Sequence, residues 1–440
     1  MKSLLIKDGR LLDPGRGIDE IGNLLVRDDR IATSGQMDII PPDTTVFNAS
    51  GLVVAPGFID LHCHLRDPGF PEKETIATGS RAAARGGFTT ICCMPNTSPP
   101  LDNKAMIDYV KSTAGTQSAI RVLPIGCITR GRAGKELANL EELVCSGVIG
   151  VSDDGSPVMN SLIMRQALEF SRSASLPIME HAEDINLSAN GQMNEGALAA
   201  SLKLHGIPNE AEEIIVARDL LLSKLTGGWL HICHVSTKGS VELIRWAKEK
   251  NIKVTCEVTP HHLTMTEEMV QGLNADAKVN PPLRTAEDIK ALISGLKEGI
   301  IDVIATDHAP HTEKEKASGF TAAPSGISVF ETALGSLMSL VHKNELTMPD
   351  LIARLTTEPA KMLGNKFGKL GTLAVGAEAD ITIFDPNKEW PVETRDFLSR
   401  GKNTPLAGAT LRGKVIATIA RGEIVFRDSS VNLDTKGISR

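Results

Sequence analysis

The stretch Gly57-Phe58-Ile59-Asp60-Leu61-His62-Cys63-His64-Leu65-Arg66 puts two imidazoles two residues apart at the end of an apolar run. Val53, Val54, Phe58, Ile59 and Leu61 read as a buried strand. Strand side chains alternate faces, so His62 and His64 project to one side, where two imidazoles can chelate one divalent ion of the zinc type. Arg66, Asp67 and the Pro68-Gly69 turn follow at once. A strand that ends in metal ligands, a cation and a turn suits a site at the mouth of a barrel.

The elements that must position these groups follow from the rest of the pattern. Apolar strands alternate with helical stretches, the signature of a parallel α/β fold. Eight strands are expected: Ile59 to His64, Thr89 to Met94, Arg121 to Gly126, Val148 to Ser152, Pro177 to His181, Trp229 to His234, Lys253 to Val258 and Asp302 to Thr306. Helices are expected between them, at Thr75 to Arg85, Ser161 to Ser173, Glu210 to Leu225 and Ser240 to Lys250. Eight such units indicate a (β/α)8 TIM barrel. An open doubly wound sheet is the alternative, but no Gly-x-Gly-x-x-Gly follows the first strand. Chemistry on a barrel sits at the C-terminal strand ends. Those ends carry His62 and His64, Asn96, Asp153-Asp154, His181, His234, Pro260-His261-His262 and Asp307-His308-Ala309-Pro310-His311. Short alternating segments before residue 57 and after residue 366 are each too small to bury a core. The termini are therefore expected to combine into one β-sandwich-like domain, 1–56 with 367–440, beside a barrel of 57–366.

Other residues read as structural. His205 and His342 lie in helical patterns away from strand ends. His231, three residues before His234, is expected on the opposite strand face, packed against a helix. For His261 and His262 a turn-stabilising role and a binding role stay open. Lys314 and Lys316, among Glu313 and Glu315, read as a solvated, mobile lid, and Leu220, Leu221 and Leu225 as core.

Composition limits the function classes. The 440 residues, 41% hydrophobic and 23% charged, suit an ordinary globular protein. Lys+Arg 47 against Asp+Glu 54 leaves a net charge of −7, so no basic field invites nucleic acid. An anionic small substrate needs a local cation, a role open to Arg66. The apolar run at the start is short for a signal peptide and no stretch is long enough to span a membrane, which indicates a cytoplasmic protein. Of the seven cysteines, Cys63, Cys92, Cys93 and Cys233 fall inside expected buried strands and read as small core residues rather than disulfide partners.

Pro56-Gly57-Phe58-Ile59-Asp60-Leu61-His62-Cys63-His64, with single histidines at later strand ends and a final aspartate, resembles the amidohydrolase superfamily. Within it, His62 to Gly69, Met94-Pro95-Asn96-Thr97, Asp153-Asp154-Gly155, Glu180 to Glu183, His234 to Thr237, Val279 to Arg284 and Ala305 to His311 closely resemble the bacterial dihydroorotases. The resemblance implies a zinc-dependent cyclic amidase that reversibly hydrolyses (S)-dihydroorotate to N-carbamoyl-L-aspartate in pyrimidine biosynthesis. By similarity, His62, His64 and Asp307 hold one Zn2+, and His181 with His234 a second. The carbamylated lysine usual on the fourth strand is impossible, because no lysine occurs between Lys135 and Lys203. One class of dihydroorotases uses aspartate there. Asp153 or Asp154 can supply the bridging carboxylate, and the match to that class favours Asp154. The resemblance further implies metal-activated hydroxide as nucleophile, Asp307 as general base and acid, and substrate contacts from His64, Arg66, Asn96, Asn280, His311, Ser325 and Gly326. A homo-oligomer, a dimer, is also expected, and association with aspartate transcarbamoylase is a separate hypothesis compatible with activity. The rival readings are a hydantoinase or allantoinase, and a non-catalytic subunit of such a complex.

Overall fold

The computed structural model describes residues 3–35, 44–430 and 434–435. The parts of the expected terminal domain at 1–2, 36–43, 431–433 and 436–440 lie outside the described residues.

Seven short parallel strands form two arcs. One holds Phe58–Cys63, Phe88–Cys93 and Arg121–Pro124; the other holds Ile178–Glu180, Leu230–Ile232, Val254–Val258 and Val303–Ile304. Single-residue parallel bridges join the arcs on both sides, Val151 to Gly126 and Ile178, and Cys63 to His308. The expected fourth strand, Val148 to Ser152, is thus reduced to Val151. It lies between left-handed Gly147 and the turn at Asp153–Gly155, which leaves no length for a ladder. Its backbone groups are still satisfied, with Ser152 N donating to Gly126 O (2.8 Å) and Met179 N to Val151 O (2.8 Å). The result is the α/β barrel architecture in eight segments, its ring completed by bridges rather than by one continuous sheet.

Helices cover the outside. Ile76–Arg85 starts at a capping box on Thr75, Ala286–Lys297 at one on Thr285, and Ser161–Ala174 at the Asn160 cap. Phe58 and Cys63 of the first strand, and Leu65 just after it, pack with helix residues Ile76, Ala82 and Ala83. Ile59 and Leu61 instead join the interior cluster with Cys92, Leu123, Met179, Cys233 and Val303. On helix Glu210–Thr226, Leu220 is buried, but Leu221 and Leu225 are 56% and 64% exposed, so the expectation that all three are core is corrected. Consecutive helical residues are about 100° apart, and only one face of this helix meets the barrel.

The termini do combine. Val53–Pro56 pairs parallel with Ser3–Asp13 and antiparallel with Ile381–Pro391, which continues through Thr410–Ala420 to Glu423–Arg427. Ser3–Asp13 pairs with Thr45–Asn48 before its register slip, between Ile6 and Gly9, and with Val53–Pro56 after it. This sandwich-type sheet encloses Ile6, Leu24, Phe47, Val54, Ile383 and Ile419. It is joined to the barrel by a buried ion pair, Arg121 Nη1 to Asp380 Oδ2 at 2.8 Å, with Thr90 Oγ1 as a second acceptor.

Removing one partner of a buried pair strands the other charge. Asp380→Ala should lower stability by about 3–5 kcal/mol, and Arg121→Met with Asp380→Leu should recover most of it. Urea unfolding of the wild type and both variants checks this; equal loss in the single and the double variant would contradict it.

Candidate active site

The first barrel strand delivers both histidines to the rim through an irregularity. Ile59 and Leu61 point inward, yet so must His62 and His64, and the ladder to Phe88–Cys93 slips between Asp60 and Cys63. One extra residue there changes which face follows. Asp60 accepts hydrogen bonds from Thr306 N (2.7 Å) and Thr306 Oγ1 (2.8 Å), tying this strand to the last one just before Asp307.

Six side chains converge. His64 Nε2 lies 2.9 Å from Asp307 Oδ1, and His62 Nε2 lies 3.5 Å from the same oxygen. Asp154 Oδ1 stands 3.4 Å from His62 Nε2, 3.5 Å from His181 Nδ1 and 3.4 Å from His234 Nε2, while its Oδ2 is 3.5 Å from His64 Nε2. His181 Nδ1 and His234 Nε2 are 2.9 Å apart. Asp154 therefore touches both histidine pairs. Asp153 is turned away, its Oδ1 accepting from Ile128 N (2.9 Å) and Thr129 N (3.1 Å) and its Oδ2 from Thr129 Oγ1. Adjacent residues at a strand end face opposite ways, which separates their roles.

The donor set fits a divalent cation. His62, His64 and Asp307 present ligand atoms within 4.8 Å of one another, as do His62, Asp154 and His234. His62 Nε2 is buried without a hydrogen bond, and mixed imidazole and carboxylate donors of this kind suit zinc-type ions. Burial alone would raise the carboxyl of Asp307, but the His64 hydrogen bond and the nearby imidazoles hold it below the ordinary carboxylate range, so it is an ionised acceptor. Burial opposes charge on His181, yet Asp154 and Glu183 outweigh it and raise the imidazole to about 10.

Beneath this cluster lies an arrangement that spacing did not reveal. Glu257 Oε1 accepts from His62 Nδ1 at 2.6 Å, and its Oε2 pairs with His231 Nε2 at 3.1 Å. Leu230 and Ile232 face the helices, so His231 faces the barrel interior, contrary to the expectation that it packs against a helix. Counting a period of two back from His234 fails because the strand ends at Ile232. Burial opposes the charge on Glu257, but His62 and His231 hold it at about 2. A carboxylate on Nδ1 fixes the His62 tautomer and leaves Nε2 free for a ligand role. Glu183 does the same at His181 Nε2 (2.9 Å) and also accepts from Asn280 Nδ2 (3.0 Å).

A cavity of about 260 Å³ opens beside the cluster, lined by His64, Arg66, Asn96, Asn280, His311 and the Ser325-Gly326 backbone, among others. All seven residues expected to touch substrate thus border one space. Asn96 Oδ1 receives His64 Nδ1 (2.8 Å), which leaves its amide NH2 as the free donor. Arg66 reaches Pro310 O (3.3 Å) and His311 Nε2 (3.3 Å), and His311 Nε2 is 2.9 Å from Ser325 O. Burial and the Arg66 charge lower His311 to about 3, so it is neutral. Arg66, His234 and Asp307 all have left-handed backbones, φ 58°, 34° and 46°. Such strained non-glycine positions cluster at functional sites.

The remaining histidines divide. His262 is a turn stabiliser, bonded to Thr259 Oγ1 (2.8 Å) and Pro281 O (3.0 Å), whereas His261 is buried with both ring nitrogens unpartnered. His308 stacks on Phe330 and bonds Val329 N, a structural role. His205 is exposed and His342 bonds Pro386 O, and neither lines the cavity. Lys314 is exposed as expected. Lys316 is not: it is buried, and its ammonium donates to backbone carbonyls.

Comparisons with known proteins agree with this geometry. A family model described as dihydro-orotase-like matches residues 51–240, and one for the amidohydrolase family matches 250–426. The chain is 49% identical to a dihydroorotase of Pelotomaculum thermopropionicum, covering 97% of this chain and 99% of that one. It is 48% identical to a dihydroorotase of Aquifex aeolicus, covering 97% and 100%. Among solved structures, an L-hydantoinase (dihydropyrimidinase) from Arthrobacter aurescens aligns with a TM-score of 0.87 at 26% identity, covering 98% of each chain.

Glu257→Gln should preserve the fold but weaken zinc binding by roughly 10–100-fold, since His62 loses the acceptor that orients it. Titration of zinc into metal-free protein measures this, and wild-type affinity would contradict the assigned role.

Proposed function

Because the chain belongs to the dihydroorotase family of the amidohydrolases, we propose that it reversibly hydrolyses the cyclic amide of (S)-dihydroorotate to N-carbamoyl-L-aspartate. The observation that carries this reading is the convergence of Asp307, Arg66 and four histidines on one 260 Å³ cavity. In this reading 57–366 is the hydrolase barrel, and 1–56 with 367–440 the accessory β domain.

The family is metal-dependent. We assign two zinc ions, one to His62, His64 and Asp307 and a second to His181 and His234, with Asp154 serving both. A bound zinc supplies Lewis acidity, bringing water toward a neutral pKa and polarising a carbonyl. The chain's own residues do the rest. Arg66 receives the substrate carboxylate in a charge-assisted pair, with the Asn96 amide and His311 beside it. Asn280 and the Ser325-Gly326 backbone hold the ring amide. Asp307 takes a proton from water as the water oxygen bonds to the ring carbonyl carbon. It then delivers that proton to the ring nitrogen as the C–N bond breaks. Run backwards, the same transfers close the ring with loss of water.

Hydantoinase activity is the second reading, favoured by the fold neighbours. The absence of a fourth-strand lysine departs from the hydantoinase pattern, and Arg66 and Asn96 lining one cavity suit a carboxylated substrate instead. Cytoplasmic placement, a homodimer and association with aspartate transcarbamoylase complete the proposal. Seven free cysteines, six of them buried, suit a reducing compartment, and among the described residues no helix is long and apolar enough to cross a membrane. Size-exclusion chromatography with and without aspartate transcarbamoylase tests the assembly.

Assay of metal-analysed protein with dihydroorotate, hydantoin and allantoin in parallel should show turnover of dihydroorotate above the other two; preference for hydantoin would replace this reading. Asp307→Asn should lose at least roughly a hundred-fold in kcat. Arg66→Met should raise KM for dihydroorotate roughly ten-fold, and an unchanged KM would remove the anchor role.

A further inference from the structure

One wall of the cavity is built from two segments far apart in sequence, 275–280 and 309–326, which bring Asn280 to one side and His311, Ser325 and Gly326 to the other. The backbone makes one direct tie, Gly326 N to Lys278 O at 2.9 Å. The rest is made by two lysines, only 7% and 6% exposed. Lys278 Nζ crosses to the later segment and donates to Phe320 O (2.9 Å) and Thr321 O (2.9 Å), with Gln192 Oε1 (2.7 Å) as its third acceptor. Lys316 Nζ crosses the other way, to Ala275 O (2.9 Å) and Lys278 O (3.4 Å), and also holds Pro324 O (2.9 Å), the residue before Ser325. The Phe320 ring centroid lies 5.5 Å from Lys278 Nζ, which adds a cation–π contact.

These partners are neutral oxygens. Asp276 and Glu315 act on Lys316 only through space, and a buried ammonium that bonds no carboxylate gains little for the fold, because desolvation opposes its hydrogen bonds. What the two ammonium groups do supply is direction: four donor contacts cross between the segments and fix their separation, and with it the width of the wall. Lys316 sits inside the segment that its charge pattern marks as a lid, so the lid is held shut from within.

We infer that Lys278 and Lys316 are positioning residues, a reciprocal pair of ammonium ties that set His311, Ser325 and Gly326 against Asn280 for the cyclic amide substrate. The inference rests on the dihydroorotate reading above, and its test separates the two. Lys278→Met, Lys316→Met and the charge-keeping Lys316→Arg are compared as metal-loaded full-length proteins. Each Met variant should raise KM for dihydroorotate roughly ten-fold while kcat stays within roughly three-fold, with zinc content and thermal unfolding as in the wild type. Cleavage by a glutamate-specific protease at Glu313 and Glu315 should accelerate roughly ten-fold in the Met variants, because the segment opens more often. Lys316→Arg should recover part of both effects. A wild-type KM alongside faster cleavage would overturn the substrate role, and wild-type cleavage would overturn the tie itself. Loss of zinc or a lowered melting temperature in step with activity would make the lysines merely structural, again overturning it. If the wild-type protein leaves dihydroorotate unchanged, the functional reading fails on its own, and the cleavage rates still decide the tie.

Discussion

The structure depends on a buried balance of charge at the barrel rim. Asp154 and Asp307 lie among His62, His64, His181 and His234, and Glu257 stands beneath them, all nearly out of reach of water. A lone carboxylate in such a place would be expelled or protonated; here each one faces two or more imidazole nitrogens. The same attraction that keeps the carboxylates ionised draws the ring nitrogens toward shared points. The barrel's task is to hold five strand ends stiffly enough that these groups stay gathered.

That stiffness comes from layers below the rim. Asp60 bonds the strand before Asp307, Glu257 joins His62 to His231, and Glu183 joins His181 to Asn280. Glu257 on His62 and Glu183 on His181 each occupy one ring nitrogen and leave the other aimed inward. Strained backbone at Arg66, His234 and Asp307 is sustained by these supports, since nothing in a free chain would keep three non-glycine residues in the left-handed region.

Much of this could be read from the chain alone, for a physical reason. Metal-capable residues at the ends of alternating apolar runs are in phase with the strand repeat, so His62, His64, His181, His234 and Asp307 announce themselves together. Asp153 and Asp154 could not be told apart because either could be the inward one until Thr129 and Ile128 were seen to claim Asp153. His231 was misplaced because the strand stops between it and His234. Lys316 was misjudged because its acceptors, Ala275 O and Pro324 O, are main-chain groups whose position no local charge pattern encodes. Leu221 and Leu225 resemble Leu220 in composition and differ only in azimuth on the helix.

The shared terminal sheet has a bearing on how the chain is made. Val53–Pro56 leaves the ribosome long before its partner Ile381–Pro391, to which it pairs edge to edge. At about 5–20 residues per second, that interval lasts on the order of tens of seconds. Throughout it, a short apolar strand carries unsatisfied backbone groups and offers a template for pairing with other nascent chains. Biogenesis therefore has a window of aggregation risk in the opening segment, one that closes only when Ile381–Pro391 arrives.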